Sequence, residues 1–267
     1  MLIKPLKPMK YEEVAFKIPT ESDDYRECSD FVIKQIEDII GNAIKIGENK
    51  IVINTNLRLG LPMENINKIA GPFVEAWAYE TFSKVVEQAN NKYQLINVQA
   101  LKRLNKADIL LQFKKQHKVE MGVTAEVDVK ATAQDIENSG KSPNITSFAV
   151  IRTAYIEEPD LIFIILSLKH KVYSQKNTQT MLMDGIMEVV SYKAYDIKYL
   201  AKADISYNPA LGTGQIQIRD IHYVDIEFRT VWEFCQLLDK KYLSSSKRSF
   251  DHWLELANRY KWIKSDD

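Results

Sequence analysis

Two acids and a lysine near the middle of the chain have the types and spacing of a hydrolytic metal site. Asp108 heads the stretch Asp108-Ile109-Leu110-Leu111-Gln112-Phe113. Asp128 and Lys130 stand two apart in Val123-Thr124-Ala125-Glu126-Val127-Asp128-Val129-Lys130. Both stretches read as strands, and Lys114-Lys115-Gln116-His117-Lys118 between them is polar and of a length suited to a hairpin connection. Side chains alternate along a strand, so Glu126, Asp128 and Lys130 share one face and Val127 and Val129 the other. An acid from each of two neighbouring strands beside an ammonium group offers hard oxygen donors, which suit Mg²⁺ or Mn²⁺. An acid-x-Lys triplet also serves as a solvated strand face with a cross-strand ion pair, and on these residues alone both readings stand.

The elements that must position these groups can be traced by periodicity. Phe31, Val32, Ile36, Ile39 and Ile40 recur at helical spacing over 29–40, with Gly41 as the expected C-cap. Residues 50–54 form a short strand and 59–62 a loop. Pro72 suits a first helical turn, which places a helix over 73–89 with an apolar stripe of Phe73, Trp77, Phe82, Val85 and Val86. Glu75 then sits near the start of that helix, where an acid also complements the dipole. Residues 131–140 are polar and loop-like, 140–147 form a small, proline-braced loop, and a helix begins at Thr146 and runs to Tyr155. The isoleucine-rich run from 160 to 168 is a central strand buried on both faces. Residues 181–191 and 193–202 fit strand or helix. Residues 206–214 are a loop of turn formers, leading into a strand in which Gln215, Gln217 and Arg219 alternate with isoleucines. Amphipathic helices cover 230–242 and 250–262. With neither repeat nor linker, residues 1–267 read as one domain with a proline-marked leader over 1–10, within which Met9 is an equally good start.

Bulk properties exclude several classes. Lys+Arg and Asp+Glu both number 36, so a nucleic-acid binder of this composition must segregate its charge. Cys28 and Cys235, with histidines at 117, 170, 222 and 252, give neither a disulfide framework nor a zinc spacing. The longest apolar run, 161–168, is too short for a membrane span. Lysines without an apolar h-region at the N-terminus argue against a secretory signal, so the expected compartment is the reducing cytoplasm.

Asp108 with Asp128-x-Lys130 resembles the PD-(D/E)xK nuclease motif, with Ala107 where a proline usually stands. The resemblance extends nearly end to end. Glu64-Asn65-Ile66-Asn67-Lys68-Ile69-Ala70-Gly71-Pro72, Asp128-Val129-Lys130-Ala131-Thr132, Ser139-Gly140-Lys141-Ser142-Pro143-Asn144-Ile145-Thr146-Ser147-Phe148 and the stretch 207–224 resemble type II restriction endonucleases of the HpaI family. A thinner match, through Ala107-Asp108-Ile109-Leu110 and Pro143-Asn144-Ile145, links the chain to the HincII type.

The resemblance implies an α/β (α+β) restriction-endonuclease-like fold, a central mixed β-sheet flanked by helices. It implies Mg²⁺ on Asp108 and Asp128 with the carbonyl of Val129 as third ligand, Lys130 stabilising charge on the phosphorane, and Glu75 facing the metal site. It further implies a homodimer reading a palindrome in double-stranded DNA, GTTAAC with blunt central cleavage, alongside a cognate DNA methyltransferase. Asn144 and Asn208 are the leading base readers, with Lys141, Ser142 and Ala210 beside them. Gln215 and Gln217 are further DNA-binding candidates. The position of Lys141 corresponds to a side chain that wedges into the duplex in the HincII type, and phosphate contact is the alternative role. Two other functional readings remain at this level: a nuclease of the same fold acting on DNA structures in repair or resolution, and a non-catalytic DNA-binding protein.

Overall fold

The computed structural model describes residues 10–102, 105–114 and 122–264. Residues 1–9 of the expected leader and 115–118 of the hairpin connection lie outside them.

The apolar run at 160–168 opens the longest strand. In chain order the strands are β1 (Lys50–Ile53), β2 (Leu95–Ala100), β3 (Ile109–Lys114), β4 (Gly122–Ala133), β5 (Asn144–Ser147), β6 (Ile162–Lys176), β7 (Met183–Asp196), β8 (Ile205–Asn208) and β9 (Gln215–Ile218). Six of them form one sheet in the order β1-β7-β6-β4-β3-β2, and β5-β9-β8 form a second. β4 and β6 run parallel while the other pairs are antiparallel, so the large sheet is mixed, as expected. The run at 181–191, open to either reading, is strand.

Both faces of β6 are covered, which is why its sequence is continuously apolar. Ile162, Ile164, Leu166 and Leu168 pack in one core with α1 (Tyr25–Lys45) and α2 (Met63–Val86). Phe163 and Ile165 point the other way, into a core shared with α3 (Phe148–Glu157), α4 (Val231–Leu243), α5 (Phe250–Arg259) and the small sheet. Among the described residues no helix is long and apolar enough to cross a membrane.

Several local expectations are corrected. Gly41 is not a helix cap. It lies inside α1, where a Cβ would collide with the Tyr192 hydroxyl, and Gly47, at φ 81°, takes the left-handed position beyond the helix end. Pro72 does not open its helix either, because α2 begins nine residues earlier and carries Pro72 in its interior. The missing N–H would have bonded the Lys68 carbonyl, and both residues face solvent, so water can satisfy that oxygen. Glu75 therefore sits in mid-helix, and a first-turn dipole role is removed. Phe73 is exposed rather than part of the apolar stripe, which is Val74, Trp77, Ala78, Phe82 and Val85. Residues 144–147 and 206–208 are strands, not loops, and α3 starts at Phe148 rather than Thr146.

The second core is pinned by a buried charge. Arg152 on α3 and Asp239 on α4 are both fully buried, with Nε 3.1 Å from Oδ1 and Nη2 3.2 Å from Oδ2. Trp253 Nε1 donates to Asp239 Oδ1 at 3.0 Å, and the Tyr11 hydroxyl to Oδ2 at 2.8 Å. A carboxylate with four donors loses little by leaving water, but removing it strands a buried guanidinium. Asp239→Ala should therefore lower unfolding free energy by about 3–5 kcal/mol, read as an earlier urea midpoint at unchanged m-value. A variant within experimental error of wild type would show that the pair is not holding α3 on α4.

Candidate active site

The end of β3 brings the two motif acids together. β3 and β4 pair antiparallel, with Ile109 opposite Val127. Asp108, one residue before β3, donates its N–H to the Val127 carbonyl at 3.0 Å, continuing the ladder. At the next step along β4 the strand partner has run out. The Asp108 side chain takes its place, Oδ2 accepting the Val129 N–H at 2.7 Å. That bond fixes the carboxylate over β4. The N–H and C=O of one strand residue lie on the same side of the strand, so the Val129 carbonyl faces the same opening.

Asp128 is 4% exposed. Lys130 Nζ lies 3.0 Å from its Oδ1 and 2.8 Å from its Oδ2, but only the first contact has hydrogen-bond geometry. The buried Oδ2 is left without a hydrogen-bond partner among the described residues. Burial pushes the Asp128 carboxyl up to about 7, Lys130 opposes the shift, and the charges of Asp108 and Glu75 add to it. Glu75 is raised in turn, first by partial burial and then by Asp108, with Lys130 again opposing. Asp108, Asp128, Lys130 and Glu75 thus occupy one electrostatic neighbourhood.

This arrangement fits a divalent cation. Three acids face one lysine, and a buried carboxylate oxygen lacks a donor. Among the described residues no three His, Cys, Asp or Glu side chains form a ready-made cage. Mg²⁺ does not need one, since it keeps several waters and takes one or two carboxylates plus substrate phosphate. Glu126, on the same face of β4, is committed elsewhere: Lys106 Nζ lies 2.8 Å from its Oε1, with both side chains largely buried. Lys106 was missed in the sequence reading, and its position two residues before Asp108 was the available signal.

The DNA-binding candidates gather on the small sheet and the loop leading into it. Asn144 faces Gln217, which faces Ser206, while Ser147 faces Gln215, which faces Asn208. Residues in register point the same way, so Asn144, Asn208, Gln215 and Gln217 share one face. Ile205, Ile216 and Ile218 occupy the opposite, fully buried face. Gln217 Nε2 donates to Asn144 Oδ1 at 2.9 Å and to the Ser142 carbonyl at 3.0 Å, a coupling that sequence alone could not show. Asn208 Oδ1 accepts the N–H of Ala210 at 3.0 Å, so Asn208 also closes the turn that carries Ala210.

Lys141 is exposed at the tip of a tight loop. Its neighbours Gly140 and Ser142 are both left-handed, at φ 95° and 50°. Ser142 is held there by its N–H to the Arg219 carbonyl, and Gly140 by accepting the Ile221 N–H. Gly140 has no room for a side chain, because a Cβ would lie 2.7 Å from His222 Nε2. The same 219–222 segment is anchored to the large sheet by the Tyr195 hydroxyl, which donates to the Ile221 carbonyl at 3.1 Å. Tyr195 lies in the cross-strand row of Asp128 and Ile165. The face of the DNA-binding candidates and the acidic cluster are therefore tied through one row of side chains.

The model of the type II restriction endonuclease HpaI family matches residues 12–261. Among curated proteins, the type II restriction enzyme HpaI of Haemophilus parainfluenzae is 57% identical over 256 residues, covering 96% of this chain and 100% of that protein. A solved structure, the NlaIV restriction endonuclease, superposes over 88% of this chain and 92% of its own length at a TM-score of 0.45 and 14% identity, a likeness too loose to carry an argument.

The raised Asp128 carboxyl has a consequence for stability. An ordinary aspartate releases its proton near pH 4, whereas Asp128 in the fold holds it to about 7. Between those values the folded chain binds the extra proton, so this group's contribution falls as pH rises through the window. Asp128→Asn removes that cost. In chelator near pH 8 the variant should melt roughly 3–6 °C above wild type, and the gap should close toward pH 4. An Asn variant that melts below wild type near pH 8 would contradict the assignment.

Proposed function

Because the chain belongs to the type II restriction endonuclease HpaI family, within the PD-(D/E)xK nucleases, and is a site-specific DNA endonuclease, we propose that it uses Mg²⁺ to hydrolyse double-stranded DNA at the palindrome GTTAAC. The cut is blunt, at the centre of the site, and leaves 5′-phosphate ends. The observation that carries this reading is the orphaned, nearly enclosed Asp128 oxygen beside Asp108, Glu75 and Lys130. The chain works as a homodimer, each subunit reading one half-site, in the cytoplasm beside a cognate methyltransferase that protects host DNA.

Asp108, Asp128 and the Val129 carbonyl would hold the cation, with Glu75 bordering it. Mn²⁺ satisfies the same donors. A bound Mg²⁺ supplies Lewis-acid polarisation of the phosphate and acidifies coordinated water. Asp108 is held ready by the Val129 N–H, so one of its oxygens is prepositioned without further ordering. Lys130 now neutralises Asp128, and a cation on that carboxylate would free the ammonium for the substrate. The freed ammonium would face the scissile phosphate, stabilise the developing negative charge and orient the attacking water.

Specificity rests on the small sheet. The Asn144 carbonyl oxygen is engaged by Gln217, which leaves the Asn144 amide as donor and the Gln217 carbonyl as acceptor. A donor beside an acceptor complements N7 and the N6 amine of adenine. Asn144 and Gln217 thus read as a unit, with Gln215 and Asn208 along the same face and Ser142 and Ala210 at its edges. Lys141 contacts the backbone, and the flexible central TA step lets the duplex deform at low cost.

Digestion of a mapped plasmid with Mg²⁺, followed by sequencing of the ends, tests the site and the blunt cut. Staggered ends or another hexamer would refute that part. Asp108→Asn and Asp128→Asn should each abolish cleavage in a folded protein, and Lys130→Ala should slow single-turnover cleavage by about 10²-fold or more. A Lys130→Ala enzyme with the wild-type single-turnover rate would leave Lys130 no chemical role.

Discrimination should depend on the amide pair. Asn144→Ala and Gln217→Ala should each lose roughly 1–3 kcal/mol of preference for the cognate hexamer over hexamers differing by one base pair. Because the two act together, the double variant should lose less than the sum. Melting temperature should hardly move, since both side chains lie on the outer face. A variant that melts early yet discriminates fully would make the pair a structural brace instead.

A further inference from the structure

Two lysines outside the motif stand on the same sheet face as Lys130. Lys130 on β4 is in register with Ser167 on β6, which is in register with Lys193 on β7. One step further on, Thr132 faces Lys169, which faces Ser191. Core membership confirms the direction. Leu166, Leu168 and Ala194 belong to the core of α1 and α2, whereas Phe163, Ile165 and Tyr195 belong to the opposite one. By alternation Lys169 and Lys193 join Lys130 on the second side. Strand spacing puts the Lys193 backbone about 10 Å from that of Lys130, and the Lys169 backbone about 8 Å away.

Neither lysine is neutralised. Among the described residues, Lys106, Lys130 and Lys171 each pair with an acid, but Lys169 and Lys193 form no ion pair. Lys193 is exposed and Lys169 half-buried. Lys193 Nζ makes one long contact, 3.5 Å to the His222 carbonyl, and the charge of Lys169 reaches the His222 ring. His222 packs against Gly140, at the root of the loop that presents Lys141. The two lysines therefore fill the gap between the catalytic cluster and the reader face with unpaired positive charge.

We propose that Lys169 and Lys193 form a ledge that grips DNA backbone phosphates beside the scissile position. The proposal rests on the reading of the chain as a duplex-cleaving enzyme. Compact ammonium groups on flexible stems suit a phosphate chain without reading bases. The ledge holds the backbone in register while Asn144 and Gln217 search the groove.

The test is fluorescence anisotropy on labelled cognate and non-cognate duplexes in chelator, over a salt series, with wild type, Lys169→Gln, Lys193→Gln and the double variant. Each phosphate contact contributes about 0.9 to the slope of log affinity against log salt, so the double variant should be shallower than wild type by about 1.8. The ratio of cognate to non-cognate affinity and the melting temperature should stay unchanged, and Lys193→Arg should restore the slope lost in Lys193→Gln. Unchanged slopes in a duplex-binding protein would overturn the ledge alone, as would a collapse of discrimination at constant slope. A wild type with flat salt dependence would instead overturn the duplex-cleaving reading, and the ledge with it.

Discussion

A carboxylate taken out of water without full compensation is among the costlier things a fold can contain, and Asp128 is placed in that position. It stands on β4, between β3 and β6, with the isoleucine-rich β6 sealing one side and the second core closing above it. Lys130 offsets part of the cost, but one oxygen stays without a hydrogen bond. Much of the surrounding structure follows from holding this group in place. The parallel register of β4 on β6 sets its depth. The early end of β3 lets Asp108 reach across to the Val129 N–H. The long helix α2 carries Glu75 toward the same point. A site that repels its own charges when empty is one that gains by taking a cation and an anionic substrate together.

The proposed catalytic cluster and the proposed reader face lie on different sheets, so their relative placement depends on what joins those sheets. The Tyr195 hydroxyl reaches from the large sheet to the Ile221 carbonyl, beside the loop of Gly140 and Ser142. Below the small sheet, the fully buried faces of β8 and β9 rest on a core whose helices α3 and α4 are fastened by Arg152 and Asp239. These are short, direct contacts rather than flexible linkers. A reader face held this way moves little relative to the cluster, which is what coupling base identity to bond breakage requires. The proposed base readers sit on strands, whose cross-strand registers place Asn144, Gln217, Gln215 and Asn208 on one face more reproducibly than a loop would.

Sequence by itself determined the parts that depend on local pattern. The alternation through Asp128 and Lys130, the apolar run of β6, the strict polar–isoleucine alternation of β9 and the amphipathic α4 were legible because periodicity is a short-range property. The quoted blocks, spread along much of the chain, were enough to point to the family. What only the tertiary structure decided involves partners distant in the chain. Gly41 looks like a cap until Tyr192 is seen to fill the space beside it. Pro72 looks like a helix start until eight further residues, 63–70, are seen ahead of Gly71 on the same helix. Asn144 looks like a loop residue until β9, some seventy residues on, pairs with it and supplies Gln217. Lys169 and Lys193 look like scattered surface charges until two strand registers align them with Lys130. The physical reason is the same in each case: a side chain's neighbours along the chain set its backbone preference, but its burial, its hydrogen-bond partner and the charges around it are set by segments that only folding brings near.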